Sequence, residues 1–401
     1  MERLINTEFL GPLAIFLLVQ FLADKSNGQS IGRPIDSVFE IGLQYLETYD
    51  YKKAVESFYY CQREVNHEPT YHYYLANAYE QLGNIQDARI FYHKAWTLDS
   101  LNVKYIMALG KIEFKRHDYV EARSYFARLI EIDSTNSFYY KQLGKACYYD
   151  NDMICAIASL GRTLQYNDRD LEALRLLADI YYNLEEYDFA LEYLERGLFI
   201  DPKNPLFLRF KLKIEVKQEY YDEALVTTDR LFSIPDSSNS VMKYYGIALT
   251  KTGRHHEAIP ILRKLANGNG VDEGIHYFLS EAYGAEDSID QCIMHLEMAM
   301  YRFGIGPMVW RYCQKLSSHF EKKGDLRLAL DYMEKSSELK SSPILLFHFA
   351  RLSDEYYRDK RIALNRYENY LASEDSLYRN YAESRVMRIK EYLHQSKGKA
   401  P

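Results

Sequence analysis

Small and bulky apolar residues recur along this chain in a fixed phase, and that phase predicts paired helices. A small residue, Ala54, Ala88, Ala122, Ala156, Ala190, Ala224, Ala258 and then Cys292, returns every 34 positions. Ala329 and Ala363 continue the series after steps of 37 and 34, so a three-residue insertion is expected near Phe303 to Pro307. Some twelve positions before each lies an apolar–small pair, such as Ile41-Gly42, Leu75-Ala76, Leu109-Gly110, Leu143-Gly144, Leu177-Ala178 and Tyr245-Gly246. One helical turn further along the same face come Tyr45, Tyr79, Tyr181, Leu249, Tyr283 and Phe320. Four positions after the small residue come Phe58, Tyr92, Phe126, Leu160 and Leu194. Gly83, Asn151, Gly253 and Gly324 fall where the first helix of a pair must stop. Asp99-Ser100, Asp133-Ser134, Asp201-Pro202 and Pro235-Asp236 supply breakers and N-caps for the helix that follows.

The pattern has a packing logic. A buried aromatic or aliphatic side chain contributes about 1.5 to 3 kcal/mol, provided that the facing position is small enough to receive it. Gly or Ala in the first helix and Ala in the second let the two helices approach closely and antiparallel. One such hairpin leaves an apolar face uncovered, so neighbours must stack.

These positions resemble the tetratricopeptide-repeat family, whose pattern runs Leu, Gly and Tyr through its first helix and Ala, a large residue and Ala through its second. The second repeat carries it most fully, in Leu75, Ala76, Tyr79, Gly83, Ala88, Tyr92 and Ala95. The resemblance implies an all-α, right-handed solenoid of about ten helix-turn-helix hairpins over residues 35–373, with a capping helix over 375–395. Lys211-Leu212 in the sixth repeat, Cys292 for Ala, and Ala350-Arg351 in the tenth depart from the pattern, so looser packing is expected there.

Composition narrows the class further. At 401 residues the chain exceeds a single compact core, and 47% hydrophobic with 27% charged residues excludes wholesale disorder. A net charge of −7 argues against nucleic acid as a partner. Phe9 to Ala23 is an apolar run broken by Gln20, followed by Ser26 and Gly28 at signal-peptidase spacing, although Glu2 and Glu8 offset Arg3. Residues 1–28 therefore read as a signal peptide, with an uncleaved anchor or an apolar helix capping the first repeat as alternatives. Any membrane association is expected only through this segment, and the location is exported, periplasmic or at the envelope, with the cytoplasm as alternative. Cys61, Cys147, Cys155, Cys292 and Cys313 are too scattered for a disulfide framework and read as buried thiols. Under export, Cys147 with Cys155 and Cys292 with Cys313 are the pairs to test.

The resemblance assigns binding to the concave face lined by first helices. Outward positions there, from the third repeat to the seventh, give Lys104, Lys111, Lys115, Lys141, Lys145, Arg175, Arg209, Lys213, Lys217, Lys243 and Lys251, opposed only by Glu172 and Asp179. Phe114, Phe138, Tyr148, Tyr149 and Tyr182 interleave with them. The expected ligand is an extended acidic protein segment or a chain terminus; the alternative is a basic face that is merely solvated. A terminal-carboxylate clamp is not carried over, because Leu176 stands where an amide is needed.

Catalytic signals are weak. Adjacent His255 and His256 point to different helix faces, and no phosphate loop, nucleophile elbow or zinc-type cysteine spacing occurs. No catalytic site, metal or cofactor is expected. The function expected is a scaffold or adaptor binding protein; the alternative is a regulatory or substrate-recruiting subunit whose chemistry is supplied in trans.

Overall fold

The computed structural model describes residues 34–234, 236–268, 273–303, 309–340, 342–373 and 375–397. Among them lie 21 helices and no strand. They divide into two compact units, residues 1–200 and 201–401. The apolar run Phe9 to Ala23 lies outside the described residues, as does most of the expected insertion. Among the described residues no helix is long and apolar enough to cross a membrane.

The first unit holds five hairpins: α1 (Ile35–Glu47) with α2 (Tyr51–Glu64), α3 (Pro69–Gln81) with α4 (Ile85–Leu98), α5 (Val103–Lys115) with α6 (Tyr119–Ile132), α7 (Ser137–Tyr149) with α8 (Met153–Tyr166), and α9 (Leu171–Asn183) with α10 (Tyr187–Ile200). The second holds α11 (Pro205–Lys217) with α12 (Tyr221–Phe232), α13 (Asn239–Lys251) with α14 (His255–Ala266), α15 (Glu273–Ala285) with α16 (Ile289–Phe303), α17 (Val309–Lys322) with α18 (Leu326–Leu339), and α19 (Pro343–Tyr356) with α20 (Lys360–Leu371). A last helix, α21 (Arg379–Lys397), lays Ala382, Val386 and Ile389 against the core of that tenth hairpin. Leu377, Tyr381 and Tyr392 around it remain exposed.

Small-against-large packing is visible atom by atom. A Cβ added to Gly110 would stand 2.5 Å from the Phe126 ring, and one on Gly42 would stand 2.6 Å from Phe58. Gly246 meets Leu262 at 2.6 Å and Gly144 meets Leu160 at 2.8 Å in the same way. A side chain at these glycines must displace the facing ring or leucine.

The turn inside the first nine hairpins is more uniform than the glycines suggested. Tyr49, Gly83, His117, Asn151, Glu185, Glu219, Gly253, Asp287 and Gly324 all have φ between 53° and 81°. Six of these nine are not glycine, so the hairpin geometry imposes a left-handed residue that local preference disfavours.

Capping differs from expectation. Asn102, Asn136 and Asn204, not the aspartates before them, accept the first free backbone N–H groups of α5, α7 and α11. Asp99 and Asp201 sit behind, accepting from the amides of Asn102 and Asn204 at 3.0 and 3.1 Å and so orienting the caps. The departures in the sixth and tenth repeats are absorbed locally. Leu212 is fully buried, Lys211 pairs with Glu215 at 3.5 Å, and Arg351 reaches Glu321 at 2.7 Å.

Candidate protein-binding face

In the first unit, contacts between successive first helices join the candidate residues into one strip. Lys115 of α5 pairs with Glu80 of α3. Phe114 packs edge-on against Tyr149 of α7, with ring centroids 5.4 Å apart, and Tyr119 stacks on Tyr149 at 5.6 Å. Lys145 lies 5.9 Å above Phe114, while Phe138 is flanked by Lys111 at 5.8 Å and Lys141 at 5.7 Å. Toward α9, Lys141 meets Asp170 at 2.9 Å and Glu172 at 3.5 Å, Lys145 meets Glu172 at 2.7 Å, and the Tyr148 hydroxyl donates to Asp179.

This strip holds more acid than the basic face opposed by Glu172 and Asp179 that was expected from sequence. Glu80 and Asp170 oppose it as well as Glu172 and Asp179. Burial opposes the charge on Lys141, but Asp170 and then Glu172 outweigh it and raise its pKa. Burial likewise raises the carboxyl of Glu172, and Lys145 and Lys141 outweigh that and hold it below its usual range. The Tyr148 hydroxyl is pushed up to about 12 by burial and by its bond to Asp179, so it stays a donor at neutral pH. Lys104, Lys111 and Arg175 make no ion pair among the described residues, and Phe138 and Tyr149 remain 39% and 50% exposed. Tyr182 packs edge-on to Tyr187 at 5.6 Å.

The second unit carries the other candidates. Arg209 bonds Asp236, which bonds also lower in pKa. Lys213 lies over Phe210 at 5.9 Å and Lys243 over Tyr244 at 5.8 Å; Lys217 is exposed. Lys251 pairs with Glu281 at 2.7 Å, and Lys315 takes the other oxygen at 2.6 Å. Burial raises the Glu281 carboxyl, but these two lysines outweigh it and keep it ionised.

The carboxylates escaped the sequence reading for a positional reason. Glu80 and Glu281 belong to repeats outside the third to seventh, and Asp170 and Asp236 precede the first helices, where only caps were sought. The turns before α9 and α13 hold Asp170 and Asp236, and the first helices of the neighbouring repeats hold Glu80 and Glu281.

The cysteines divide differently from either expected pattern. Cys147 and Cys155 form a disulfide across the α7–α8 hairpin. The pairing of Cys292 with Cys313 is not formed: both thiols are free and buried, with Cys292 Sγ 3.2 Å from His319 Nε2 and Cys313 Sγ 3.8 Å from Met300 Sδ. Burial pushes Cys292 up to about 11, so it is a packed thiol and not a nucleophile. Among the described residues no three His, Cys, Asp or Glu side chains converge as a metal set.

Stacked helical hairpins with a small residue every 34 positions define an α-solenoid repeat protein. Residues 155–205 match the model of the tetratricopeptide repeat, and residues 217–299 match that of anaphase-promoting complex, cyclosome, subunit 3. Over these residues the chain is similar to tetratricopeptide-repeat proteins. No curated protein matches it. Similar solved structures include a tetratricopeptide repeat protein from Parabacteroides merdae, at 13% identity over 63% of this chain and 99% of that one with a TM-score of 0.46. Pseudomonas aeruginosa pilF is similar at 19% identity over 53% and 96%, TM-score 0.43. MamA from Desulfovibrio magneticus is similar at 16% identity over 43% and 98%, TM-score 0.41.

Proposed function

We propose that this chain is a non-catalytic scaffold or adaptor that holds an extended segment of a partner protein along the first-helix face of its third to fifth repeats. The fold serves protein–protein contact in general. One observation supports the finer reading. Exposed Phe138 and Tyr149 sit in a strip whose lysines and arginine exceed its carboxylates, with Lys104, Lys111 and Arg175 outside any ion pair among the described residues. Such a strip suits a segment that alternates acidic and aromatic side chains. The rings take the apolar groups, and the unpaired cations take carboxylates without first breaking a pair. The Cys147–Cys155 bridge supports an exported location, because disulfides persist in oxidising compartments.

A random copolymer of glutamate and tyrosine is a direct probe. It should bind the whole chain at low salt and bind less as salt rises. The double variant Lys104→Glu, Lys111→Glu should weaken binding by about tenfold or more. Phe138→Ala should weaken it without changing the salt dependence. Equal binding by wild type and both variants would remove the reading, whereas the same reversals at Lys243 in the second unit serve as a control that leaves binding unchanged.

A further inference from the structure

The disulfide occupies a position with a definite mechanical role. In the fifth repeat Tyr181 of α9 closes its hairpin on Phe189 of α10, with ring centroids 5.3 Å apart, and stacks on Tyr193 at 5.6 Å. Cys147 and Cys155 stand at the same two repeat positions one repeat earlier, with the same separation of 8 residues. A covalent bond thus replaces a ring-on-ring clasp. Two thiols have too little surface to replace it by packing. Other contacts at this turn hold the loop: Arg123 of α6 bridges Asp150 at 2.6 Å and Asp152 at 2.9 Å, and the Asp152 carboxylate caps α8. At the end of α7 the sulfurs add a covalent link to α8.

The end of α7 is also the binding strip. Cys147 is followed at once by Tyr148, which donates to Asp179, and by Tyr149, which packs on Phe114 and Tyr119. Cys147 is fully buried and Cys155 is half-buried, so Cys155 is the more accessible residue of the pair.

We propose that the Cys147–Cys155 bond is a redox-sensitive clasp that sets the order of the Tyr148–Tyr149 platform, and through it, on the binding reading given above, the affinity for a partner segment. A dithiol reductant attacks Cys155 Sγ, and the Cys155–Cys147 bond breaks. Cys147 leaves as a thiolate that takes a proton, a mixed disulfide forms on Cys155, and the reductant's second thiol then displaces it. Cys155 departs as a second thiol, and the reductant leaves as a cyclic disulfide: two electrons and two protons have passed to the protein.

Hydrogen–deuterium exchange on the whole chain, with and without dithiothreitol, tests the clasp. Reduction should speed amide exchange at the end of α7 and the start of α8 by about tenfold or more, while α9 and α10, closed by Tyr181 and Phe189, stay unchanged. The double variant Cys147→Ser, Cys155→Ser should show the fast pattern without reductant, and Cys155→Ser alone repeats the test with the buried site intact. Unchanged exchange on reduction overturns the proposal, as does an equal acceleration throughout residues 35–200, which marks a general staple. So does alkylation of all five cysteines in unreduced, denatured protein, where only three are free. Binding of the glutamate–tyrosine copolymer should weaken on reduction. A copolymer that binds neither form counts against the binding reading alone, because exchange decides the clasp without it.

Discussion

In the first unit the eleventh position of the repeat carries Glu113 in the third hairpin and Cys147 in the fourth, where neighbouring hairpins carry Tyr79 and Tyr181. Glu113 is buried and bonded by Arg89 and Arg116; Cys147 is bonded by Cys155. The eighth and ninth repeats of the second unit bury polarity differently, in neutral rings. His276 and His295 face each other in the core with Nδ1 atoms 3.1 Å apart, Tyr283 stacks on His295 at 5.5 Å, and His319 lies beside Cys292. The same scaffold therefore accepts a polar core in either unit, provided each group finds a partner within its own pair of hairpins. The difference is what disturbs it: the first unit depends on a bond that reductant cuts, the second on rings that acid charges.

Acid gives the largest expected effect. Burial, then the neighbouring His276, pushes His295 down to about 4, and burial also lowers His319 and His348. A histidine whose folded pKa lies below its unfolded value of about 6.5 is fully stabilising above that value. Its contribution falls as the pH drops from 6.5 toward 4, because only the unfolded chain takes up the proton. For His295 alone the loss is of order 3 kcal/mol at pH 4. His72, the buried histidine of the first unit, is also lowered by burial, but its ring bonds the Asn66 carbonyl at 2.7 Å, a partner that a protonated ring keeps. Exchange protection in α15 to α18 should thus fall between pH 6.5 and 4.5 before protection in α5 to α8 does. His295→Asn should flatten that dependence; simultaneous loss in both units would erase the contrast.

Close approach next separates the Phe126 site of the first unit from the histidine core of the second. Gly110→Ala must push its methyl into the Phe126 ring and should cost about 2 kcal/mol. Gly284→Ala in α15 meets only Cys292 Sγ and His319 Cε1, both at 3.4 Å, and the gain in helix propensity should make it neutral or slightly stabilising. Urea unfolding of the two variants measures both. A costly Gly284→Ala would show that the histidine core is packed as tightly as the first unit.

Helix ends differ on a smaller scale. Asn102 caps α5 with its side chain, whereas Ser238, before α13, makes no side-chain cap bond. Asn102→Ala should cost about 1 kcal/mol, and Ser238→Ala a few tenths.

How far these features were legible from sequence depends on whether periodicity carries them. Ala54 to Ala363 and the glycines facing Phe58 and Phe126 set the helix pairs because bulk against absence of bulk is a one-residue property. The eleventh position was read only where it held an aromatic or a leucine, so Glu113, Glu215 and Asp354 passed unnoticed, and Cys147 was noted only as a thiol with Cys155 as its candidate partner. All four are buried, and their meaning lies in partners elsewhere in the chain, such as Arg89 or Arg385. The lysines of the binding strip were found by register together with Glu172 and Asp179, but Glu80 and Asp170 were not, since a pair such as Lys115 with Glu80 joins residues 35 positions apart. The left-handed turns at Tyr49, His117, Glu185 and Glu219 carry no local signature at all.

That last group gives the smallest effect, and the one in which the two units should agree. Glu185 and Glu219 occupy the same turn, one in each unit, at φ of 63° and 64°, and both side chains are exposed. Glycine relieves a left-handed strain of about 1 to 2 kcal/mol but adds freedom to the unfolded chain worth about 0.5 to 1 kcal/mol. Glu185→Gly and Glu219→Gly should therefore each stabilise by roughly 0.5 kcal/mol in urea unfolding. Because hairpin geometry, and not core chemistry, sets this turn, equal gains would place the difference between the units in their cores. Unequal gains would mean that the hairpins themselves are built to different tolerances.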